Sequence, residues 1–142
     1  QDAAVTRRFF AMCAEAKIDV QHILYDAADI AHLARLVVQG DVPHDGLKTL
    51  IVLGRYTSGQ TSTPAEVAAL AQRLKSALPA ADWAACAFGP QETACLIEAM
   101  RHGGKTRIGF ENNRLNADGQ VAANNAERVT ELVTQAKRAG FE

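Results

Sequence analysis

The chain has no surplus of either charge. Over 142 residues, Lys and Arg number 15 and Asp and Glu 16, leaving a net charge of -1. With no basic run and no aromatic-basic stripe either, the electrostatic footprint of a nucleic-acid binder is absent. No apolar run is long enough to span a bilayer, and no signal peptide is visible. Cysteine is sparse and odd in number (Cys13, Cys86 and Cys95, all in apolar surroundings). That pattern reads as buried free thiols in a reducing cytoplasm and not as a disulfide framework. There is no linker, low-complexity tract or sequence repeat. No two of His22, His32, His44 and His102 have metal-ligand spacing, so the chain alone offers no zinc site by histidine pattern. A start at Gln1, with no Met, points to a missing or processed beginning.

What is present is the material of one soluble domain, 48% hydrophobic and 22% charged. The pattern is a helix followed by four strand–helix units. Phe9, Phe10, Met12, Cys13 and Ala16 give residues 3–17 an apolar helical stripe. A strand at Val20–Tyr25 precedes an N-cap at Asp26, with Asp29 in the first turn and Ile30, Leu33 and Val37 on one face. Gly40 ends that helix. Leu50–Leu53 is a continuous apolar run, as in a strand buried on both faces. Thr63-Pro64-Ala65-Glu66 is a capping box with Pro at the first helical position. Val67, Leu70, Leu74 and Leu78 continue the inner face. Strand Trp83–Phe88 leads through Gly89-Pro90 into a helix reaching Met100. Gly103-Gly104 turns into a strand at Thr106–Phe110. After an Asn-rich loop, Asn124 and Glu127 cap a last helix whose expected inner face is Val129, Leu132, Val133 and Ala136.

Strands alternating with helices at roughly 30-residue spacing imply a parallel sheet with right-handed crossovers. Four strands suit a small open sheet, or half of an eight-stranded barrel of about 250 residues. Periodicity does not separate the two. The long polar loop after the last strand and the first helix without a preceding strand hint at a cut barrel.

Two familiar motifs fail here. Gly104-Lys105-Thr106 mimics the end of a phosphate-binding loop, but Ala99 stands where that loop needs Gly, and the segment leads into a strand, not a helix. Gly54–Gly59 is no nucleophile elbow, because no Gly lies two before Ser58. It is nonetheless a loop at a strand's carboxyl end, which makes Arg55 and Tyr56 candidates for substrate contact. Glu92 suits either a first-turn helix charge or a site residue.

The most informative stretch is Arg107-Ile-Gly-Phe-Glu-Asn112. Arg107 stands at the start of an expected strand, with Glu111 and Asn112 at its end. Carboxyl ends of parallel strands face the ligand crevice in barrels and open α/β sheets. Residues four apart on a strand point to one side, so Arg107 and Glu111 can reach one cavity. A carboxylate, an amide and a guanidinium there can hold a metal and an anionic substrate. A structural Arg107–Glu111 ion pair is the competing reading.

The chain resembles the carboxyl-terminal half of the beta-keto acid cleavage enzyme family. The likeness runs through VQHILYD (20–26), LIVLGRYTSGQ (50–60), WAACAFGPQE (83–92), GGKTRIGFENN (103–113) and DGQVAANNAERV (118–129). It implies a TIM (β/α)8 barrel of which residues 1–142 hold the last four units. It implies that Glu111 is a ligand of a catalytic Zn2+, with two His from a His-x-His pair not found in this chain. Arg107 falls on the family's substrate-positioning and catalytic Arg. Asn112 falls where an Asp with an acid/base role is common, and an amide cannot exchange a proton that way. The implied reaction joins a β-keto acid with acetyl-CoA and releases acetoacetate and a new acyl-CoA, in a homo-oligomer expected to be a tetramer. Two other classes stay open: a non-catalytic half-barrel that binds or assembles, and a small open-sheet domain for an anionic ligand.

Overall fold

The computed structural model describes residues 2–141, in which helices and strands alternate. Helix α1 (Ala3–Glu15) is followed by β1 (Gln21–Leu24), α2 (Ala27–Val38), β2 (Lys48–Leu53) and α3 (Pro64–Ala77). Then come β3 (Asp82–Ala87), α4 (Glu92–Arg101), β4 (Lys105–Thr106) and α5 (Asn125–Arg138). The caps form as the sequence predicts. The Asp26 carboxylate accepts the Ala28 and Asp29 amides. Thr63 and Glu66 complete a reciprocal capping box, a device that stabilises a helix start by about 1 kcal/mol. Asn124 accepts the Glu127 amide.

The four strands form one parallel sheet in the order β1-β2-β3-β4. Ile23, Leu50, Ala84 and Lys105 stand in register across it. Alternation along the strands divides the apolar side chains between two faces. Leu24, Ile51, Leu53, Ala85 and Ala87 join the main core beneath the helices. Leu50, Val52, Cys86 and Phe88 form a second cluster with Tyr25 and Ala84 on the opposite face. Helices α2, α3 and α4 pack on β1, β2 and β3, and α5 packs on α4.

Three expectations are corrected. The last strand does not run Thr106–Phe110. Pairing reaches Arg107, whose amide donates to the Ala85 carbonyl at 2.9 Å, and the chain then turns. The Phe110 amide is taken by the Asn125 side chain at 2.9 Å, and the Asn112 and Asn113 amides close onto the Gly109 carbonyl. A Cβ on Gly109 would stand 3.2 Å from Asn125 Oδ1, so glycine permits this close approach.

Second, Val129 and Val133 are exposed, and the inward row of α5 is Arg128, Leu132 and Ala136. That row has the same helical spacing. Arg128 can lie inward because acidic and polar side chains meet its guanidinium there.

Third, no residue of α1 is fully buried, and Phe9 and Met12 are exposed. Ala16, just past the helix, is exposed as well. Phe10 alone of the expected stripe packs against the core, with its ring 5.6 Å from that of His22. An Arg7–Asp41 ion pair of 2.5 Å ties the helix to the loop after α2.

Candidate active site

The residues singled out from the sequence gather at the carboxyl ends of the strands: Arg55 and Tyr56 after β2, and Arg107, Glu111 and Asn112 after β4. Tyr25 follows β1 and Phe88 follows β3 on the same edge. In parallel sheets this edge is where ligands bind.

Arg107 is the hub of the β4 end. One guanidinium nitrogen, Nη2, lies 3.3 Å from the Cys86 sulfur and 3.5 Å from Glu111 Oε2. Cys86 is buried on the sheet face away from the helices, and burial pushes its thiol pKa up, against the opposing pull of Arg107. The thiol is therefore a neutral, polarizable floor under the guanidinium and not a thiolate nucleophile. Glu111 is exposed, and Arg107 is partly so. The contact is the ion pair that stands as the competing reading of these two residues, and a turn, not a strand, brings them together.

Asn112 points the other way. It is buried, its backbone carbonyl accepts the Gly89 amide at 3.3 Å, and its side-chain Nδ2 makes no hydrogen bond, although the side chain faces Cys86.

Arg55 and Tyr56 belong to an aromatic group nearer β1 and β3. The Arg55 guanidinium carbon lies 5.5 Å from the centre of the Phe88 ring, within cation–π range. The Tyr56 ring stands edge-on to Tyr25 at 4.8 Å. A hydrogen bond to Tyr56 is the main cause raising the Tyr25 phenol pKa, with burial second.

Their loop is folded on itself. The Thr57 hydroxyl sits 3.1 Å from the Gly54 carbonyl and 2.7 Å from that of Thr61, and accepts the Thr61 amide at 2.9 Å. Ser62, buried, donates to the Phe88 carbonyl at 2.7 Å and so fastens this loop to the end of β3. Ser62 carried no motif in the sequence. Cys86 was visible only as an apolar-neighbour thiol.

Behind the site turn lies a buried ion pair that sequence reading did not assemble. Arg128 Nη2 meets Glu92 Oε2 at 2.9 Å, with both side chains fully buried. Arg128 also donates to Thr93, Asn116 and Glu131. Glu92 thus belongs to the shell behind the site, and its pKa is raised chiefly by burial, against the pull of Arg128. Its position in the first turn of α4 was legible, but its partner 36 residues on was not.

The histidines stay apart. His32 contacts Arg35, His44 lies by Asp45, and His102 pairs with Glu98. His22 lines a cavity of about 170 Å³ with Phe10, Cys13, Asp19 and Asp45, at the amino ends of β1 and β2. That cavity lies at the opposite end of the strands from Arg107.

The described residues thus form a parallel α/β sheet with the Arg107–Glu111 pair at its carboxyl edge. Residues 1–142 match the model of the beta-keto acid cleavage enzyme family, and the chain belongs to that family. Of the donors a zinc centre needs, Glu111 fits as one exposed carboxylate. Among the described residues no group of three or more His, Cys, Asp or Glu is placed to hold a metal ion. A metal at Glu111 requires ligands from outside these residues. Among the described residues no helix is long and apolar enough to cross a membrane.

Proposed function

We propose that the chain forms the last four β/α units of a TIM barrel and contributes one wall of a metal-dependent site. There a β-keto acid reacts with acetyl-CoA to give acetoacetate and a new acyl-CoA. The observation that supports this most is the presentation of Arg107 and Glu111, 3.5 Å apart, at the carboxyl edge of the sheet in a chain of this family.

The roles follow from the surroundings. Arg107 has Cys86 beneath it and Glu111 beside it, which fixes a fork of donors facing the crevice. A guanidinium so held binds the substrate carboxylate and stabilises the oxyanion that develops as carbon–carbon bonds form and break. Glu111 serves as one hard oxygen ligand of Zn2+, an ion that polarises the keto group as a Lewis acid when bound. Asn112, an amide, transfers no proton. Its backbone carbonyl ties the turn to Gly89, its side chain is buried, and the proton carrier lies elsewhere. Arg55 and Tyr56, beside Phe88 and Tyr25, contact the substrate at the far rim. The assembly is a homo-oligomer, a tetramer in this reading, working in the cytoplasm.

The test is acetoacetate release by the full natural protein from a panel of β-keto acids with acetyl-CoA, alongside metal analysis. Support is acetyl-CoA-dependent turnover with about one zinc per chain, both lost in Glu111→Gln. No turnover with any acid, and no bound metal, would leave the non-catalytic binding or assembly module as the function.

A further inference from the structure

The sheet face away from the helices carries two guanidiniums at its carboxyl edge. Cys86 and Phe88 share that face with Leu50, Val52 and Tyr25. Arg107 lies against the first, with Nη2 3.3 Å from the Cys86 sulfur. Arg55 lies over the second, its guanidinium carbon 5.5 Å from the centre of the Phe88 ring. The Phe88 amide donates to the Leu53 carbonyl at 2.9 Å, so the pleat of β3 continues to this residue. Side chains two apart on a pleat rise from one face roughly 7 Å from each other. The two cations therefore rest on neighbouring steps of one strand.

Their partners differ. Arg107 has Glu111 at 3.5 Å, whereas Arg55 has Phe88 and no carboxylate partner among the described residues. An aromatic face attracts a guanidinium without taking its N–H groups in ordinary hydrogen bonds. The fork of Arg55 is left for an incoming acceptor. Arg55 is also held in place, because its loop is fastened to the end of β3. A Cβ on Gly54 would stand 2.9 Å from the Thr61 carbonyl oxygen and 3.1 Å from Phe88 Cβ. A Cβ on Gly89 would stand 2.7 Å from the Gln60 carbonyl oxygen. The Ser62 hydroxyl donates to the Phe88 carbonyl at 2.7 Å. A loop anchored before the ligand arrives lowers the ordering cost of binding.

We propose that Arg55 is a specificity-determining residue that binds a second carboxylate at the far end of the β-keto acid, so that the preferred substrates are β-keto dicarboxylates. The proposal deepens the cleavage-enzyme reading and rests on it for its catalytic consequence. In that reading Glu111 goes to the metal and Arg107 to the reacting end of the acid, which leaves Arg55 as the next cation along the same face. The spacing suits the two ends of one short acid. The phosphates of acetyl-CoA lie a whole pantetheine arm from its thioester, much farther than one step of a pleat.

The probes are β-ketoadipate and its terminal monoamide, alike in shape and unequal in charge. With the full natural protein, kcat/KM for the diacid should exceed that for the amide by about 100-fold. Arg55→Met should lower that ratio by about tenfold or more, and Arg55→Lys, which keeps the charge and loses the fork, should fall between. Binding is read separately by calorimetry with adipate, which offers both carboxylates and no keto group. Its Kd should rise about tenfold or more in Arg55→Met. An unchanged diacid-to-amide ratio in Arg55→Met overturns the proposal. A ratio that holds while KM for acetyl-CoA rises overturns it too, and assigns Arg55 to the phosphates of the co-substrate. Adipate binding that is absent or indifferent to Arg55 overturns it whatever the activity. Arg55-dependent adipate binding in a protein whose wild type cleaves no β-keto acid leaves the dicarboxylate site standing and sinks the cleavage reading alone.

Discussion

Arg128 Nη2 and Glu92 Oε2 lie 2.9 Å apart with neither side chain reaching solvent. The energetics of such a pair are asymmetric. Removing one partner strands a buried charge, whereas removing both strands none. Arg128→Ala should therefore cost about 3–5 kcal/mol in urea denaturation. The double variant Glu92→Met with Arg128→Met should be clearly more stable than Arg128→Ala. Equal losses in the two proteins would mean that the charges are not energetically coupled.

His22 supplies a pH dependence. Burial, with the Phe10 ring at 5.6 Å, holds its pKa below the ordinary imidazole value. The folded protein thus favours the neutral ring, and on acidification the unfolded chain takes up the proton first. The stabilising contribution is complete above about pH 6.5 and is lost as pH falls through the lowered folded value. Wild-type protein should lose more stability between pH 8 and pH 5 than His22→Gln. Parallel pH profiles for the two would remove His22 as the cause.

Gly104 and Trp83 form the tightest glycine contact in the fold. A Cβ on Gly104 would stand 2.5 Å from the indole ring. The ring must shift to admit even one methyl, so Gly104→Ala should cost about 1–3 kcal/mol, the range of an overpacked core. Trp83 is the single tryptophan, so its emission reads the displacement directly. An unchanged spectrum with unchanged stability would contradict this packing.

Arg107 separates function from stability. Its side chain is partly exposed beside an exposed Glu111, and such surface pairs contribute little to folding. Arg107→Met should leave stability within about 0.5 kcal/mol and, in the full natural protein, lower kcat for β-keto acid cleavage by about 100-fold or more. A large stability loss with activity retained would make the ion pair structural and remove Arg107 from the chemistry.

Helix caps are legible in the sequence because each depends on neighbours in the chain. The caps at Asp26, Thr63 and Asn124 need only their own first turns. The apolar run at Leu50–Leu53 needs only a sheet covered on both sides. Features that depend on distant partners are not legible in this way. Phe9 and Met12 fit a helical stripe, but most of α1 has no apolar surface to meet in the described chain. Val129 and Val133 fit an inner face as well as Arg128 and Leu132 do, and only the acid groups around Arg128 decide between the two rows. The strand at 106–110 looked regular because an apolar alternation cannot reveal that Asn125 claims the Phe110 amide.

The sequence by itself determined the alternation of strands and helices, their starts, and the residues placed on the carboxyl edge, since propensity, capping and period are local properties. Its motifs also carried the family resemblance that the match across residues 1–142 establishes. Only the tertiary structure decided how those edge residues meet. Arg107 and Glu111 face each other through a turn, Asn112 is turned inward onto Cys86, and a buried Glu92–Arg128 pair stands behind all three. Apart from Arg107 with Glu111, these relations join residues far apart in the chain, and burial, which sets the strength of a charge pair such as Glu92–Arg128, exists only once the chain has folded.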